Sequence, residues 1–391
     1  MKLHRENLAV GGYFAAFVGL GLIAASVGPT LPSLAANLSV GLAQIGVLLF
    51  ARSFGEMFGC LCSGPIIDRG HGREVLALSV LVSAGCLAMV PFSHSLYPLA
   101  GIFLILGGVQ GAIHTGSNTL LVWRHPDRAH SLLSTLHFSF GAGMVVAPIL
   151  VAWFLPIRAD GLFIYWVLAA ALVPVAFVLA VSGKTVAPKT RHTVQTRSSS
   201  RVALLWAIAL FFLYVGSEIN MGAWLYTYAI RAAQFSPSTA AYLVAAFWGA
   251  FMVGRLLSIF GSSYLNPSQY VCGGLLAGSL STVGVIIFSS HEGPYLWICV
   301  AILGLSMAAV FPQAFSYVSD MLGISGRRTA TLLIAGSFGG MLLPWLTGQL
   351  LESISPHALP MIVGLAMLLA LAAFVLVGRT AGNVRESIPR S

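Results

Sequence analysis

The stretch Gly64-Pro65-Ile66-Ile67-Asp68-Arg69-Gly70-His71-Gly72-Arg73 is a short charged island between two long apolar runs. Residues 40–63, which precede it, carry only Arg52 and Glu56 as charged side chains, and residues 75–123 carry none. Its three glycines permit a sharp turn with positive φ. The pattern therefore predicts a tight turn at a membrane face, joining two segments that each cross the bilayer.

The charges of this turn admit two interpretations. Asp68 is expected at the end of one helix, where Arg69 and Arg73 are placed to pair with it or with a neighbouring helix end. Alternatively, the turn is an ordinary cluster of positive charge on the cytoplasmic side of a membrane.

The composition supports an integral membrane protein. Of the 391 residues, 58% are hydrophobic and only 8% are charged, whereas soluble domains carry roughly 25% charged residues. Apolar runs of about 20 residues, the length that spans a bilayer, recur twelve times. The predicted fold is an all-α membrane protein with twelve transmembrane helices. The predicted spans are 8–34, 41–66, 74–92, 96–122, 131–155 and 161–183, followed by 202–229, 237–260, 268–289, 294–319, 328–351 and 358–378.

Two related halves are predicted, at 1–183 and 201–391, joined by a flexible polar linker at 184–200. The repeated features are Ser139-Phe140-Gly141 with Ser337-Phe338-Gly339, Gly143 and Pro148 with Gly339 and Pro344, and Val18-Gly19 with Val215-Gly216. Two pseudo-symmetric six-helix halves are typical of secondary transporters, which rock one half against the other.

The distribution of Lys and Arg predicts the orientation. With the N-terminus in the cytoplasm, the linker and most basic loops lie inside, and only Arg158 and Arg231 lie outside. This bias favours cytoplasmic positions for both termini, and the short loops suggest a bacterial inner membrane. The net charge of +9 does not indicate nucleic-acid binding, because the basic residues sit in short loops and form no stripe.

Several classes of protein are disfavoured by what the sequence lacks. It has no P-loop, no catalytic set and no Cys/His cluster with metal-ligand spacing. We therefore expect a non-enzymatic protein without a metal site or cofactor, apart from a proton or sodium ion that drives transport. The expected partners of the monomer are a small-molecule substrate and the lipid bilayer.

Well away from the predicted loops, four charged residues lie within predicted spans, where each costs roughly 2.5–3.5 kcal/mol. Arg52 and Glu56 are four residues apart, so they share a helix face and form either a structural ion pair or part of a translocation cavity. Glu218 is either a satisfied structural acid, a proton acceptor or a hydrogen-bonding partner for sugar hydroxyls. For Arg255, near the end of its span, an interfacial or gate contact is favoured.

A polar stripe occupies one face of the fourth span, at Gln110, His114 and Asn118. Such a stripe should face a cavity or a neighbouring helix. His137 and Gln313 are candidates for the same polar centre, although a lone histidine is often a satisfied interhelical donor. Trp224, close to Glu218, is expected either to pack or to stack on a sugar ring.

The chain resembles the major facilitator superfamily over its whole length. Gly64, Asp68, Arg69, Gly72 and Arg73 match the family's motif in the loop between spans two and three. The resemblance implies that Asp68 caps a neighbouring helix across the interface between the halves and helps to lock an outward-open state.

Three stretches are similar to the fucose permease branch and the related sodium-dependent glucose transporters. They are Phe17-Val18-Gly19-Leu20-Gly21 through Gly28-Pro29-Thr30-Leu31, Leu136 through Gly143, and Tyr214-Val215-Gly216-Ser217-Glu218 through Trp224. His114 stands where the fucose permease pattern expects a carboxylate, and span one carries no acid. Ala147-Pro148 replaces the Gly-Pro pair of the antiporter pattern.

These observations favour a cation-coupled symporter of a small polar solute, most simply a monosaccharide, with Glu56 and Glu218 as coupling or substrate residues. The alternatives are a proton-coupled exporter of amphipathic compounds and a non-transporting membrane receptor or assembly protein.

Overall fold

A computed structural model of the chain describes residues 2–155, 161–183, 201–261, 264–289, 293–322 and 326–386. The predicted linker at 184–200 and Arg158 lie outside these ranges. The described helices are α1 (Lys2–Asn37), α2 (Leu42–Ile66), α3 (Gly72–Met89), α4 (Leu96–Arg124), α5 (Ala129–Phe154), α6 (Phe163–Val181), α7 (Arg201–Arg231), α8 (Pro237–Gly261), α9 (Pro267–Ile287), α10 (Tyr295–Met307), α11 (Val310–Leu322), α12 (Gly326–Ser353) and α13 (Ala358–Glu386).

The prediction of an all-helical membrane protein is confirmed. Eleven segments of the described chain are long and apolar enough to cross a membrane. One of them, Leu42–Phe92, is 51 residues long and contains both α2 and α3. Counting these two helices separately gives the twelve predicted spans.

The turn between α2 and α3 is more helical than the sequence indicates. Residues Ile67–His71 form one wide helical turn, and α3 starts directly at Gly72. Gly70, with φ of 91°, is the residue of this turn that breaks the helical path. A residue with a Cβ would be strained there, so the predicted sharp turn depends on Gly70, while Gly72 is helical with φ of −61°.

The tenth span is broken, whereas the sequence predicts a continuous helix over 294–319. Helix α10 ends at Met307 and α11 begins at Val310. Pro312 follows the break. Because proline has no N–H and its ring clashes with the carbonyl four residues before it, Pro312 removes the helical hydrogen bond to Ala308.

The chain divides into two compact units. Unit one comprises residues 1–191 together with 235–245, and unit two comprises 192–234 and 246–391. In unit one, α2 packs closely on α4, because a Cβ at Gly107 or Gly111 would overlap the carbonyl oxygens of Arg52 and Glu56. This approach fixes the backbone of both charged residues against α4.

The sequence repeat has a packing counterpart inside each unit. Gly143 of α5 lies against the carbonyl of Val18 in α1, and Gly339 of α12 lies against the carbonyl of Phe212 in α7. The predicted correspondence of Val18-Gly19 with Val215-Gly216 is shifted, however. Gly216 packs on Gly339 as Gly21 packs on Gly143, while Gly19 faces Leu172 of α6.

Candidate functional site

In unit one, Arg52 hydrogen-bonds to a neighbouring helix. Its Nε donates to Oε1 of Gln110 on α4 over 2.8 Å. Glu56, one turn further along α2, interacts with Arg52 electrostatically. Gln110 is buried, with 2% of its surface exposed. The Arg52 side chain is therefore held by α4 and stabilised by the charge of Glu56.

His114 is an exposed polar residue on α4. Its ring stacks on Phe17 of α1, with centroids 5.5 Å apart and an interplanar angle of 23°. His137 of α5 meets the same Phe17 edge-on at 5.8 Å, and its centroid lies 6.1 Å from that of His114. His114 also interacts electrostatically with Glu56. Because His114 is exposed and Phe17 is fully buried, the stack presents one imidazole to open space.

The predicted polar stripe of α4 therefore does not act as a single surface. Gln110 is occupied by Arg52, and Asn118 donates through Nδ2 to the carbonyl of His114 on its own helix over 2.8 Å. Of the three residues, His114 presents the most accessible side chain. The sequence spacing correctly places the residues on one face, but their partners differ.

Sequence reasoning missed a buried pair beside this cluster. The hydroxyls of Thr30 in α1 and Tyr165 in α6 are 2.7 Å apart. Thr30 donates its single proton to the backbone carbonyls of Ser26 and Val27, so Tyr165 is the donor in the pair. Tyr165 also interacts electrostatically with Arg52. The pair joins residues 135 positions apart, and no local pattern signals such a contact.

In unit two, Glu218 of α7 has two polar neighbours. It interacts electrostatically with Arg255 of α8, and its carboxyl group lies within hydrogen-bonding reach of the Tyr214 hydroxyl one turn earlier. That hydroxyl donates to the carbonyl of Met307, at the break between α10 and α11. Glu218 is half-buried. The acid is thus connected through one tyrosine to the broken span.

Arg255 is less completely satisfied than Arg52. Its guanidinium carbon lies 4.7 Å from the centroid of the Phe251 ring, a cation–π geometry. Its Nε is buried and has no hydrogen-bond partner among the described residues. The predicted interfacial or gate contact of Arg255 is, inside this unit, an interaction with Phe251 and Glu218.

Trp224 does not have the ring-stacking position that its proximity to Glu218 suggests. It is fully buried, and its Nε1 donates to the carbonyl of Pro344 on α12 over 2.8 Å. Asn220 makes a parallel contact, donating to Thr347 over 2.8 Å. Trp224 therefore packs α7 on α12, which is the first of the two roles that the sequence allows. Gln313 lies half-buried at the start of α11, just beyond the break.

The turn motif, defined as Gly64 to Arg73, connects α2 to α3 in unit one. Asp68 and Arg69 are exposed, Gly64 lies in the last turn of α2, and Gly72 is buried. Arg73 forms an ion pair with the adjacent Glu74 at 3.0 Å and donates to the carbonyl of Ser182, which ends α6, over 3.2 Å.

Arg124 donates to the next carbonyl, that of Gly183, over 2.8 Å. Two arginines thus hold the carboxyl end of α6, where a positive charge is favourable. Within the described parts of the chain, no group of three or more His, Cys, Asp and Glu side chains is arranged to hold a metal ion.

Several known proteins with similar sequences are named as sodium-dependent glucose transporters. The chain is 27% identical over 387 residues to sodium-dependent glucose transporter 1 of Danio rerio, covering 89% of this chain and 65% of that protein. It thus spans slightly less than two thirds of the zebrafish protein. Mouse sodium-dependent glucose transporter 1A is 27% identical, with 86% of this chain and 88% of that protein covered. The human sodium-dependent glucose transporter 1 is 28% identical, with 86% and 72% covered.

Solved structures share the fold. A point mutant of the nucleoside transporter NupG superposes with a TM-score of 0.77 at 13% identity, covering 95% of this chain and 99% of that chain. A bacterial homolog of the human lysosomal transporter Spinster gives a TM-score of 0.72 at 14% identity, covering 94% and 96%.

The family model of the Major Facilitator Superfamily matches residues 11–331, a range that includes Arg52, Glu56, Glu218 and Arg255. Together with the helical architecture, this match identifies a non-enzymatic membrane transport protein. The chain belongs to the Major Facilitator Superfamily.

Proposed function

We propose that the protein is a secondary active importer of a neutral monosaccharide, driven by symport of a proton or sodium ion. The observation that carries this proposal is the charge balance of the membrane-embedded residues. Arg52 is matched by Glu56 in unit one, and Arg255 by Glu218 in unit two. Each unit therefore embeds its arginine together with a compensating acid, and such a balance favours a neutral solute that both donates and accepts hydrogen bonds.

The chemistry of the accessible groups supports a sugar. His114 offers one exposed imidazole whose ring is backed by Phe17, and Glu56 adds a half-buried carboxylate beside it. Sugar hydroxyls bind such carboxylate and imidazole groups, and apolar sugar faces rest on rings. The relatives that are named sodium-dependent glucose transporters support the same substrate class and make sodium a candidate coupling ion.

The roles of the candidate residues follow from their partners. Glu218 is the first candidate for coupling, because it is half-buried and connects through Tyr214 to the broken span. Glu56, His114, Asn118, His137 and Gln313 are candidates for substrate contact, while Arg52 and Gln110 join α2 to α4. In this proposal the monomer lies in a bacterial inner membrane with both termini in the cytoplasm.

The turn motif would then act as a gate on the cytoplasmic side. Asp68 is exposed at the wide turn and is available to an incoming partner, while Arg73 is already held at the end of α6. This role is proposed from the family resemblance and the exposure of Asp68.

The test is uptake into proteoliposomes containing the purified full-length protein. A panel of radiolabelled neutral hexoses and pentoses is offered with an imposed inward sodium gradient, an inward proton gradient, or neither. The proposal expects one gradient to drive accumulation of at least one sugar above its external concentration. Absence of flux for every sugar would overturn it. Export of an amphipathic cation under the same gradients would favour the exporter instead.

A further inference from the structure

Helix α8 carries a second tryptophan whose surroundings differ from those of Trp224. Trp248 is 6% exposed, and its indole N–H is buried with no hydrogen-bond partner among the described residues. A buried donor without a partner carries an energetic penalty, and native proteins retain few of them. A hydrogen-bond acceptor that reaches this N–H therefore removes that penalty.

Trp248 belongs to one face of α8. Phe251 follows Trp248 by three residues and Arg255 follows Phe251 by four, so the three side chains lie along one side of the helix. The rings of Trp248 and Phe251 meet edge to face, with centroids 5.4 Å apart, and Arg255 lies over Phe251 at 4.7 Å. The face thus combines an aromatic surface with two donors that have no partner in the described chain, the Trp248 Nε1 and the Arg255 Nε.

This face meets the side of α7 that carries Glu218. A Cβ on Gly222 would lie 2.6 Å from the Trp248 ring, so the indole occupies the space that the missing side chain leaves. Gly222 lies four residues after Glu218, a rise of about 6 Å along the helix. At the other end of the seam, Arg255 interacts with Glu218. An acid and two donors are therefore distributed around the same aromatic surface.

We infer that this α7–α8 seam, defined by Glu218, Gly222, Trp248, Phe251 and Arg255, is a binding subsite for a neutral polyhydroxylated ring. A hydroxyl oxygen accepts from the Trp248 indole, and a second hydroxyl donates to Glu218. The enclosed N–H becomes accessible to the substrate when the side chains of the seam shift on loading. The inference rests on the proposed sugar transport and adds a specificity-determining residue to it.

Trp248→Phe is the informative substitution, because it removes the N–H and keeps an aromatic ring. The probes are D-glucose and its monodeoxy analogues, with binding measured on the full-length protein in nanodiscs. We expect Trp248→Phe to weaken D-glucose binding about 5- to 30-fold, the loss of one or two hydrogen bonds. We expect one monodeoxy analogue, lacking the hydroxyl that meets the indole, to bind both proteins equally.

Trp224→Phe is the matched control. It removes the same atoms from a fully buried tryptophan on α7, but there the N–H is bonded to the Pro344 carbonyl. We expect this variant to have the lower Tm of the two and to bind D-glucose as the unmodified protein does. Gly222→Ala, which displaces the indole without removing it, should also weaken D-glucose binding and verifies the subsite independently.

The outcomes separate the subsite from the wider proposal. If the unmodified protein binds D-glucose and Trp248→Phe leaves its affinity unchanged, the subsite is wrong while sugar transport stands. An equal loss for D-glucose and every deoxy analogue would also overturn it, because that result indicates an indirect structural effect. If neither D-glucose nor any sugar of the uptake panel binds the unmodified protein, the proposed function itself fails and the subsite fails with it.

Discussion

The two units each embed one acid and one arginine, but they satisfy these groups differently. In unit one, Arg52 is bonded to Gln110 at 2.8 Å, and a second network joins Tyr165 to Thr30. In unit two, the Nε of Arg255 and the Nε1 of Trp248 have no partner among the described residues. Unit one therefore contains a largely closed network, whereas unit two keeps donors open beside Glu218.

This difference predicts different consequences for substitutions in the Arg52 network and at the open donors beside Glu218. Substitutions in a closed network should lower the free energy of unfolding, because they leave buried groups unpaired. Substitutions among the open groups of unit two should act on binding or coupling instead. Four substitutions test this difference.

Glu218→Gln should abolish accumulation of sugar against its gradient, while exchange of internal for external sugar persists. The reason is that Gln keeps the size and hydrogen-bonding capacity of the side chain but has no negative charge, so it can neither take up a proton nor neutralise a bound sodium ion. Both activities are measured in the same proteoliposomes. Accumulation at the level of the unmodified protein would remove Glu218 from the coupling mechanism.

Gln110→Leu should lower the free energy of unfolding by about 1.5–3 kcal/mol, the range for a lost hydrogen bond to a charged group. The substitution leaves Arg52 in the bundle without its acceptor. Unfolding by denaturant in nanodiscs measures the change. Asn118→Leu is the control on the same helix, since its amide bonds its own backbone; an equal loss there would show that the Arg52 contact is not responsible.

Gly111→Ala should destabilise unit one by about 1–3 kcal/mol, as overpacking of a close contact does. Its Cβ would overlap the carbonyl of Glu56 and push α2 away from α4. Gly85→Ala in α3 is the matched control, because nothing lies within 4 Å of a Cβ there. Unfolding curves that shift equally for both variants would contradict the close helix approach.

Tyr214→Phe should lower the free energy of unfolding by about 1 kcal/mol. It should also speed hydrogen exchange of the amides around 305–313. It removes the hydroxyl that bonds the Met307 carbonyl at the break. Tyr228→Phe is the matched control, because its hydroxyl donates to the carbonyl of Val285 over 2.8 Å in α9. Exchange that quickens around 305–313 in both variants would argue against a specific role for Tyr214.

The sequence predicts the spans and the helix class well, because bilayer length and hydropathy are local properties. Pro312 is a visible reason for the break in span ten, yet a hydropathy reading passes over one proline in an apolar run. The charged residues are also identifiable, since an embedded charge is costly wherever it lies.

The partners of those residues are not readable from the sequence. Helical spacing groups Gln110 with His114, but only the packing of α2 on α4 assigns Gln110 to Arg52. Proximity to Glu218 favours Trp224 over Trp248, although the indole N–H of Trp224 is satisfied and that of Trp248 has no partner in the described chain. Whether a tryptophan N–H finds an acceptor depends on contacts with helices that are distant in the chain. Local sequence periodicity does not predict such contacts.

The central claim is that charge-balanced embedded residues select a neutral sugar. It is tested most directly by competition during gradient-driven uptake of labelled D-glucose, using D-glucosamine as a cationic analogue and D-glucuronate as an anionic one. The account predicts that unlabelled D-glucose competes and that neither charged analogue competes at about tenfold higher concentration, which corresponds to a discrimination of about 1.4 kcal/mol. Competition by either charged analogue as strong as that of D-glucose itself would contradict it.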